Sequence, residues 1–294
     1  MPLRDNALVA QPARFALDLL ILTRPIAALC SGAQVVVGGN LTGRLATTGD
    51  ELVLLRAGFA IMFVVATVNV VNDIVDVRAD AINRSGRPLP AGRVSTATAW
   101  RLAVAHAALS FACAVGVPGG VAVIATLLCV GLYYDYVLKS TVLVGNIVVA
   151  ILAATPIVFG GRLADVEPLP LAMTASIIFL FMFAFEVLKT IRDVEADRAA
   201  GYQTAATELG RPSTSLIFRL TLTVYAAAAV VPVLLPWVSL AYAAFMLPGA
   251  VLPSLATGWL LPVGRSAAAE RVVRRVMVVS WFPGLAAFAL AFRP

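Results

Sequence analysis

The hydrophobic positions of this chain fall in long continuous runs, interrupted by Gly, Pro and charge at intervals close to the roughly 20 residues a helix needs to cross a bilayer. Nine such runs, at 17–40, 52–74, 97–117, 120–138, 142–161, 169–191, 214–235, 237–258 and 273–291, predict nine transmembrane helices. They are rich in Leu, Ala and Val and carry no period of two. That disfavours a barrel built from short alternating strands, the other structure able to span a membrane.

Composition agrees with an all-α integral membrane protein. Of 294 residues, 61% are hydrophobic and only 13% charged, about half the charged share of an ordinary globular domain, and the mean hydropathy is +0.93. The organisation expected is one membrane domain over 1–294. Arg24-Pro25 interrupts the first run and no convincing small-residue cleavage site follows, so no removable signal peptide is expected.

Charge then gives an orientation. The N-terminal tail, the 76–96 loop with Arg78, Arg84, Arg87 and Arg93, Lys139, the 192–213 loop and the 259–272 loop carry the Arg and Lys on one side. The opposite loops hold Arg44 and Arg162 beside Asp50, Glu51, Asp165 and Glu167. The basic side is expected in the cytoplasm, with the N-terminus inside and the C-terminus outside. A net charge of +6 is accounted for by topology and lipid headgroups, so no nucleic-acid partner is expected.

Cys30, Cys113 and Cys129 lie in apolar runs without paired spacing and read as packing residues; the single histidine, His106, does the same.

The acidic residues are not scattered. Seven of sixteen (Asp73, Asp76, Asp80, Glu186, Asp193, Glu195 and Asp197) lie in two stretches, each at the end of an apolar run. Asn72, Asp76 and Asp80 recur every fourth position, which on a helix sets them along one face about 40° apart. Lys189, Asp193 and Asp197 repeat that spacing, with a cation in place of the amide. Acids at the end of a membrane helix are functional candidates because their burial is otherwise costly. The donors are all oxygen, which selects a hard cation, best Mg²⁺. Arg84, Arg87, Lys189 and Arg192 interleave with the acids, a pattern suited to a metal-bridged polyphosphate. A third cluster, Tyr134-Asp135-Tyr136-Val137-Leu138-Lys139, ends the fourth run on the same side; there Lys139 could neutralise a diphosphate, and Tyr134 could hydrogen-bond it or face a developing cation. Asp135, Glu195 and Arg198 read equally well as ordinary interface residues, and Asp73 and Glu186 have no assigned role.

These residues resemble the UbiA superfamily of intramembrane prenyltransferases. Asn72 to Ser95 (NDIVDVRADAINRSGRPLPAGRVS) is similar to the family's NxxxDxxxD signature and following loop, and Glu186 to Gly210 (EVLKTIRDVEADRAAGYQTAATELG) to its DxxxD signature and tail. Leu132 to Asn146 is similar to its Tyr…Leu-Lys…Gly-Asn segment. Ser85-Gly86, after Asn83-Arg84, departs from the family's usual Arg-Pro and breaks up the first Arg-Pro of its loop. The resemblance implies nine helices around a central cavity and Mg²⁺-dependent transfer of an isoprenoid from its diphosphate to a lipophilic or aromatic acceptor. It further implies that Asn72, Asp76, Asp193 and Asp197 ligate two Mg²⁺ ions, that Asp80 supports them, and that Lys139, Arg84 and Lys189 contact phosphate, with Arg192 and Tyr134 alongside.

The second motif and the Leu19–Pro25 stretch look most like the branch containing geranylgeranylglycerol phosphate geranylgeranyltransferases. Aromatic and tetrapyrrole acceptors stay open. So does a membrane terpene cyclase, in which the carbocation is captured by the chain's own double bond. A cation-coupled transporter is a remoter alternative, since its acids belong near the bilayer midplane.

Overall fold

The structure is a computed structural model and describes residues 5–41, 48–83, 85–236 and 238–291. Among these, every regular element is helical. The α-helices are α1 (Asp5–Thr23), α2 (Pro25–Gly39), α3 (Thr48–Val75), α4 (Val77–Asn83), α5 (Thr96–Ala114), α6 (Gly120–Tyr136), α7 (Val144–Leu163), α8 (Pro168–Ala199), α9 (Ala205–Glu208), α10 (Gly210–Val230), α11 (Leu240–Met246), α12 (Leu252–Leu260) and α13 (Ala267–Ala289).

Each of the nine expected spans falls on a helix or a broken helix, but not all are equal. By length and composition six helices are able to cross a membrane among the described residues, and seven when the bent pair α1–α2 is one span. The other two are weaker for identifiable reasons: α6 has only 17 residues, and Arg101 and His106 dilute the apolar run of α5. The expected span at 237–258 is α11 and α12 joined by a π-helical turn, Leu247–Val251.

Two helix breaks place charged side chains. The first span bends by 48° between α1 and α2 at Arg24, whose φ of 48° is left-handed. The residue before a proline is pushed out of the right-handed helical region, and Pro25 then starts a new helix because its missing N–H is one that no first-turn residue needs. The second break is at Asp76, between α3 and α4. Asp76 N–H still donates to Asn72 O at 2.9 Å and Asp80 N–H to Asp76 O at 2.8 Å, so the four-residue register of the motif survives.

The helices that carry the motifs are the long ones. With 28 and 32 residues, α3 and α8 extend about 42 Å and 48 Å at 1.5 Å per residue, more than the roughly 30 Å of bilayer hydrocarbon. The acids lie toward the C-terminal ends of these helices, with Asp73 in the last turn of α3, Asp76 at the break after it, Asp80 in α4, and Asp193 and Asp197 in the last turns of α8.

Small residues bring the helices close. At the α2–α7 crossing a Cβ on Gly160 would overlap Val35 O, and one on Gly38 would overlap Ile157 O. Gly32 and Gly58 do the same for α2 against α3, where each Cβ would lie within 3.0 Å of the other glycine's carbonyl oxygen. Further packing forms one large core among α7, α8 and α10–α13, a second among α2, α3, α6 and α7, and a third where Leu22, Val70, Val71, Leu89, Val94 and Ala99 meet.

Cys30 and Cys113 are half-buried, Cys129 is exposed, and all three are free thiols. His106 stacks on Phe63 with ring centroids 5.8 Å apart.

Candidate active site

A cavity of about 740 Å³ lies between α3, α6, α7 and α8, and its lining changes character along its length. At one end it is apolar, with Ile61, Val64 and Val68 of α3, Leu127 of α6, Leu152 of α7 and Met182 of α8. At the other it gathers Asn72, Asp76 and Asp80 from the first motif, Tyr134, Asp135 and Lys139 from the third cluster, and Lys189, Arg192, Asp193 and Asp197 from the second motif. Arg84, the remaining candidate, lies outside the described residues.

The acids are placed by helix length and register, and held by cations. Lys139 Nζ, three residues beyond α6, donates to Asp76 Oδ2. Arg192 grips Asp193 with both arms, Nε to Oδ1 at 2.8 Å and Nη2 to Oδ2 at 2.7 Å. Lys189 Nζ donates to Glu186 Oε1 at 2.9 Å and Oε2 at 2.8 Å, one turn apart on α8. Asn72 Nδ2 donates to Asp135 Oδ1 at 2.8 Å, joining α3 to α6. Asp76, Asp80, Asp135 and Glu186 are all buried, where an unpaired carboxylate is unfavourable; Lys139, Arg87 and Lys189 pair with Asp76, Asp80 and Glu186, and the Asn72 amide with one oxygen of Asp135.

Glu195 and Arg198, by contrast, are exposed, pair with each other at 3.1 Å, and lie outside the cavity wall. Of the three residues that read equally well as interface groups, only Asp135 lines the site.

Among the described residues no group of three or more Asp, Glu, His or Cys is arranged around one point. Mg²⁺ does not need one: it is commonly held by one or two carboxylates, with substrate phosphates and water completing its shell. Asp76 Oδ1 fits that demand. It is buried, lines the cavity, and has no hydrogen-bond partner while Oδ2 is engaged by Lys139. The all-oxygen lining with interleaved cations is therefore compatible with a hard metal bridging a polyphosphate.

Sequence reasoning missed two contributors to this end of the cavity. Arg24, at the left-handed break, donates to Asn69 Oδ1 and Asn72 Oδ1, each at 3.2 Å, and to Asp73 Oδ1 at 2.5 Å. A signal was present as Arg24-Pro25 inside an apolar run, but one residue in one span says nothing of its distance from 69–73. Tyr202 is the other. Lys139 Nζ lies 5.8 Å from its ring centroid, and burial together with the charges of Asp76 and Asp197 pushes its phenol pKa up, so the hydroxyl stays protonated and able to donate.

A membrane-type helical fold with a cavity apolar at one end and lined by paired acids and bases at the other suits an amphiphile with a charged head. The chain belongs to the UbiA prenyltransferase family, whose model matches residues 32–273, and it is an integral membrane prenyltransferase of that family. The digeranylgeranylglyceryl phosphate synthase of Methanopyrus kandleri is 34% identical over 274 residues, covering 92% of this chain and 97% of its own length. The enzyme of the same name from Methanoregula boonei is 36% identical over 224 residues, covering 71% of this chain and 75% of its own. The fold is shared with a UbiA homologue from Aeropyrum pernix in its apo form (TM-score 0.70, 19% identity, 88% of this chain and 97% of that one). It is shared too with a UbiA homologue from Archaeoglobus fulgidus bound to GPP and Mg²⁺ (TM-score 0.66, 18% identity, 92% of this chain and 99% of that one).

Proposed function

We propose that this chain transfers an isoprenyl group from an allylic isoprenyl diphosphate to a lipid alcohol bearing a glycerol phosphate, in a Mg²⁺-dependent reaction. The observation that carries the reading is the single cavity in which both acidic motifs and their cations face one end while the other end is apolar. The apolar end suits a prenyl tail and the charged end a diphosphate. The Archaeoglobus homologue bound to GPP and Mg²⁺ supports the donor, and the name of the curated relatives supports an acceptor that is a prenylated glyceryl phosphate.

In this reading Asn72, Asp76, Asp80, Asp193 and Asp197 would hold two metal ions. Bound there, Mg²⁺ supplies positive charge to the departing diphosphate. Lys139, Lys189 and Arg192 would add cations to the phosphate oxygens, Tyr134 a hydroxyl or a ring face, and Arg84, outside the described residues, is kept as a further candidate from the sequence alone. The allylic C–O bond breaks with its electron pair leaving on the diphosphate. The apolar wall excludes water from the resulting allylic cation until the acceptor hydroxyl attacks it, forming the C–O bond and passing its proton to the released diphosphate. The charged end faces the cytoplasm, with the N-terminus inside and the C-terminus outside, as the basic loops suggest.

The test is incubation of the purified protein with Mg²⁺ and prenyl diphosphates of graded length, with and without candidate acceptors. A prenyl ether formed only when a glycerol phosphate lipid is added is the expected product. A hydrocarbon or terpene alcohol made without acceptor would replace this reading with cyclisation, and aromatic acceptors that outcompete the lipid would replace the acceptor class.

A further inference from the structure

The loop between α4 and α5 is tied down at a point outside the cavity. Arg93 grips Asp18 of α1 with Nε at 3.1 Å and 2.9 Å from the two carboxylate oxygens and Nη2 at 2.9 Å from Oδ1. The same Nη2 donates to Gly86 O at 3.0 Å. One guanidinium therefore fastens both ends of the loop to α1, and its partner Asp18 is buried within a helix whose neighbouring surface is apolar.

The loop itself is stiff. Arg93 N–H donates to Pro88 O and Ala91 N–H to Arg87 O, each at 3.0 Å, Gly92 takes the left-handed φ of 69° its turn requires, and Leu89 and Val94 pack into the core beside Leu22, one turn from Asp18 on α1. Arg93 and Arg87 therefore belong to one hydrogen-bonded turn. Arg87 does reach the cavity: its Nη1 donates to Asp80 Oδ2 at 2.6 Å and to Asp73 Oδ1 at 2.9 Å. Neither Asp18 nor Arg93 lines the cavity.

We infer that Asp18 and Arg93 are positioning residues for prenyl transfer, acting through the 85–95 loop to hold Arg87 against Asp80 at the charged end of the cavity. The inference rests on the reading of that cavity as the prenyl diphosphate site. Alternatively the pair could serve only to fasten α1, and the two roles differ in what they move. A fastening role lowers thermal stability and leaves the kinetics of the folded enzyme alone. Positioning raises KM for the prenyl diphosphate about tenfold or more, with a smaller change in kcat, because the diphosphate end is mispositioned while the chemistry is retained.

The experiment compares full-length wild type, Asp18→Asn, Arg93→Lys and the exchange variant Asp18→Arg/Arg93→Asp in detergent or nanodiscs. It measures thermal midpoint, KM and kcat, and amide hydrogen exchange over 85–95 without substrate. Raised KM together with faster loop exchange in every single variant that folds supports the inference, and recovery of KM in the exchange variant adds to it. Wild-type KM in any folded single variant overturns it. Should Asp18→Asn fail to fold, Arg93→Lys, which keeps the charge and loses the two-armed grip, decides. A wild-type enzyme inert toward every prenyl diphosphate instead overturns the functional reading.

Discussion

Lys139 Nζ donates to Asp76 Oδ2 and so joins the end of α6 to the first acidic motif at the charged end of the cavity. The bond leaves Asp76 Oδ1 buried without a partner. One carboxylate thereby carries a cation on one oxygen and an open lone pair on the other, the arrangement that the proposed metal-bound diphosphate would use.

Replacing that cation tests the arrangement. Lys139→Met is expected to lower kcat/KM about 10²-fold, in the range seen when one preorganised charge-stabilising donor is removed, and Lys139→Arg to recover part of it. Steady-state kinetics with a fixed acceptor measures both. An unimpaired Lys139→Met enzyme would detach Lys139 from the diphosphate.

The acids of the two motifs should be individually indispensable. Asp76→Ala and Asp193→Ala are each expected to reduce turnover by at least about 10²-fold while the folded protein can still be purified. Arg192 and Lys139 lose a partner in these variants but remain partly exposed, so the expected loss of stability is modest, on the order of 1 kcal/mol. Near-normal activity in either variant, assayed alongside a thermal melt, is the contrary outcome.

How far the site is legible without the structure depends on which residues one asks about. Asp76, Asp80, Asp193 and Asp197 are legible because a carboxylate at the end of a membrane helix is expensive and a four-residue spacing is a helical face. Lys139 and Tyr134 follow from sidedness alone. Arg24 is not legible: its role depends on a bend that swings one guanidinium onto Asn69, Asn72 and Asp73, more than forty residues on, and no local pattern encodes that distance. The helix count is readable only in part, since α6 is short and α5 is diluted by Arg101 and His106, so their membership of the bundle depends on packing against α3.

Cavity shape offers a specificity test. A Cβ on Gly131 would lie 2.8 Å from Val68 Cγ2, and both residues line the cavity. Gly131→Leu is expected to fill part of the apolar end and to lower kcat/KM more for geranylgeranyl than for dimethylallyl diphosphate, by about tenfold in the ratio. An unchanged ratio would place the prenyl tail elsewhere.

Helix contact offers a stability test that leaves the chemistry untouched. Gly160 faces the α2 backbone so closely that any Cβ overlaps Val35 O. Gly160→Val should therefore force α2 and α7 apart and cost about 1–3 kcal/mol, read as a lower thermal midpoint in detergent. A midpoint equal to that of wild type would mean that the two helices do not cross at this glycine.

Diphosphate release from geranylgeranyl diphosphate by the purified protein, followed together with the mass of the lipid product, is the decisive measurement for prenyl transfer at this cavity. With Mg²⁺ and a prenylated glyceryl phosphate present, diphosphate and a prenyl ether should appear in equal amounts, cease on chelation with EDTA, and return when Mg²⁺ is restored. Absence of diphosphate release from any prenyl diphosphate, or release that persists in EDTA, would contradict it.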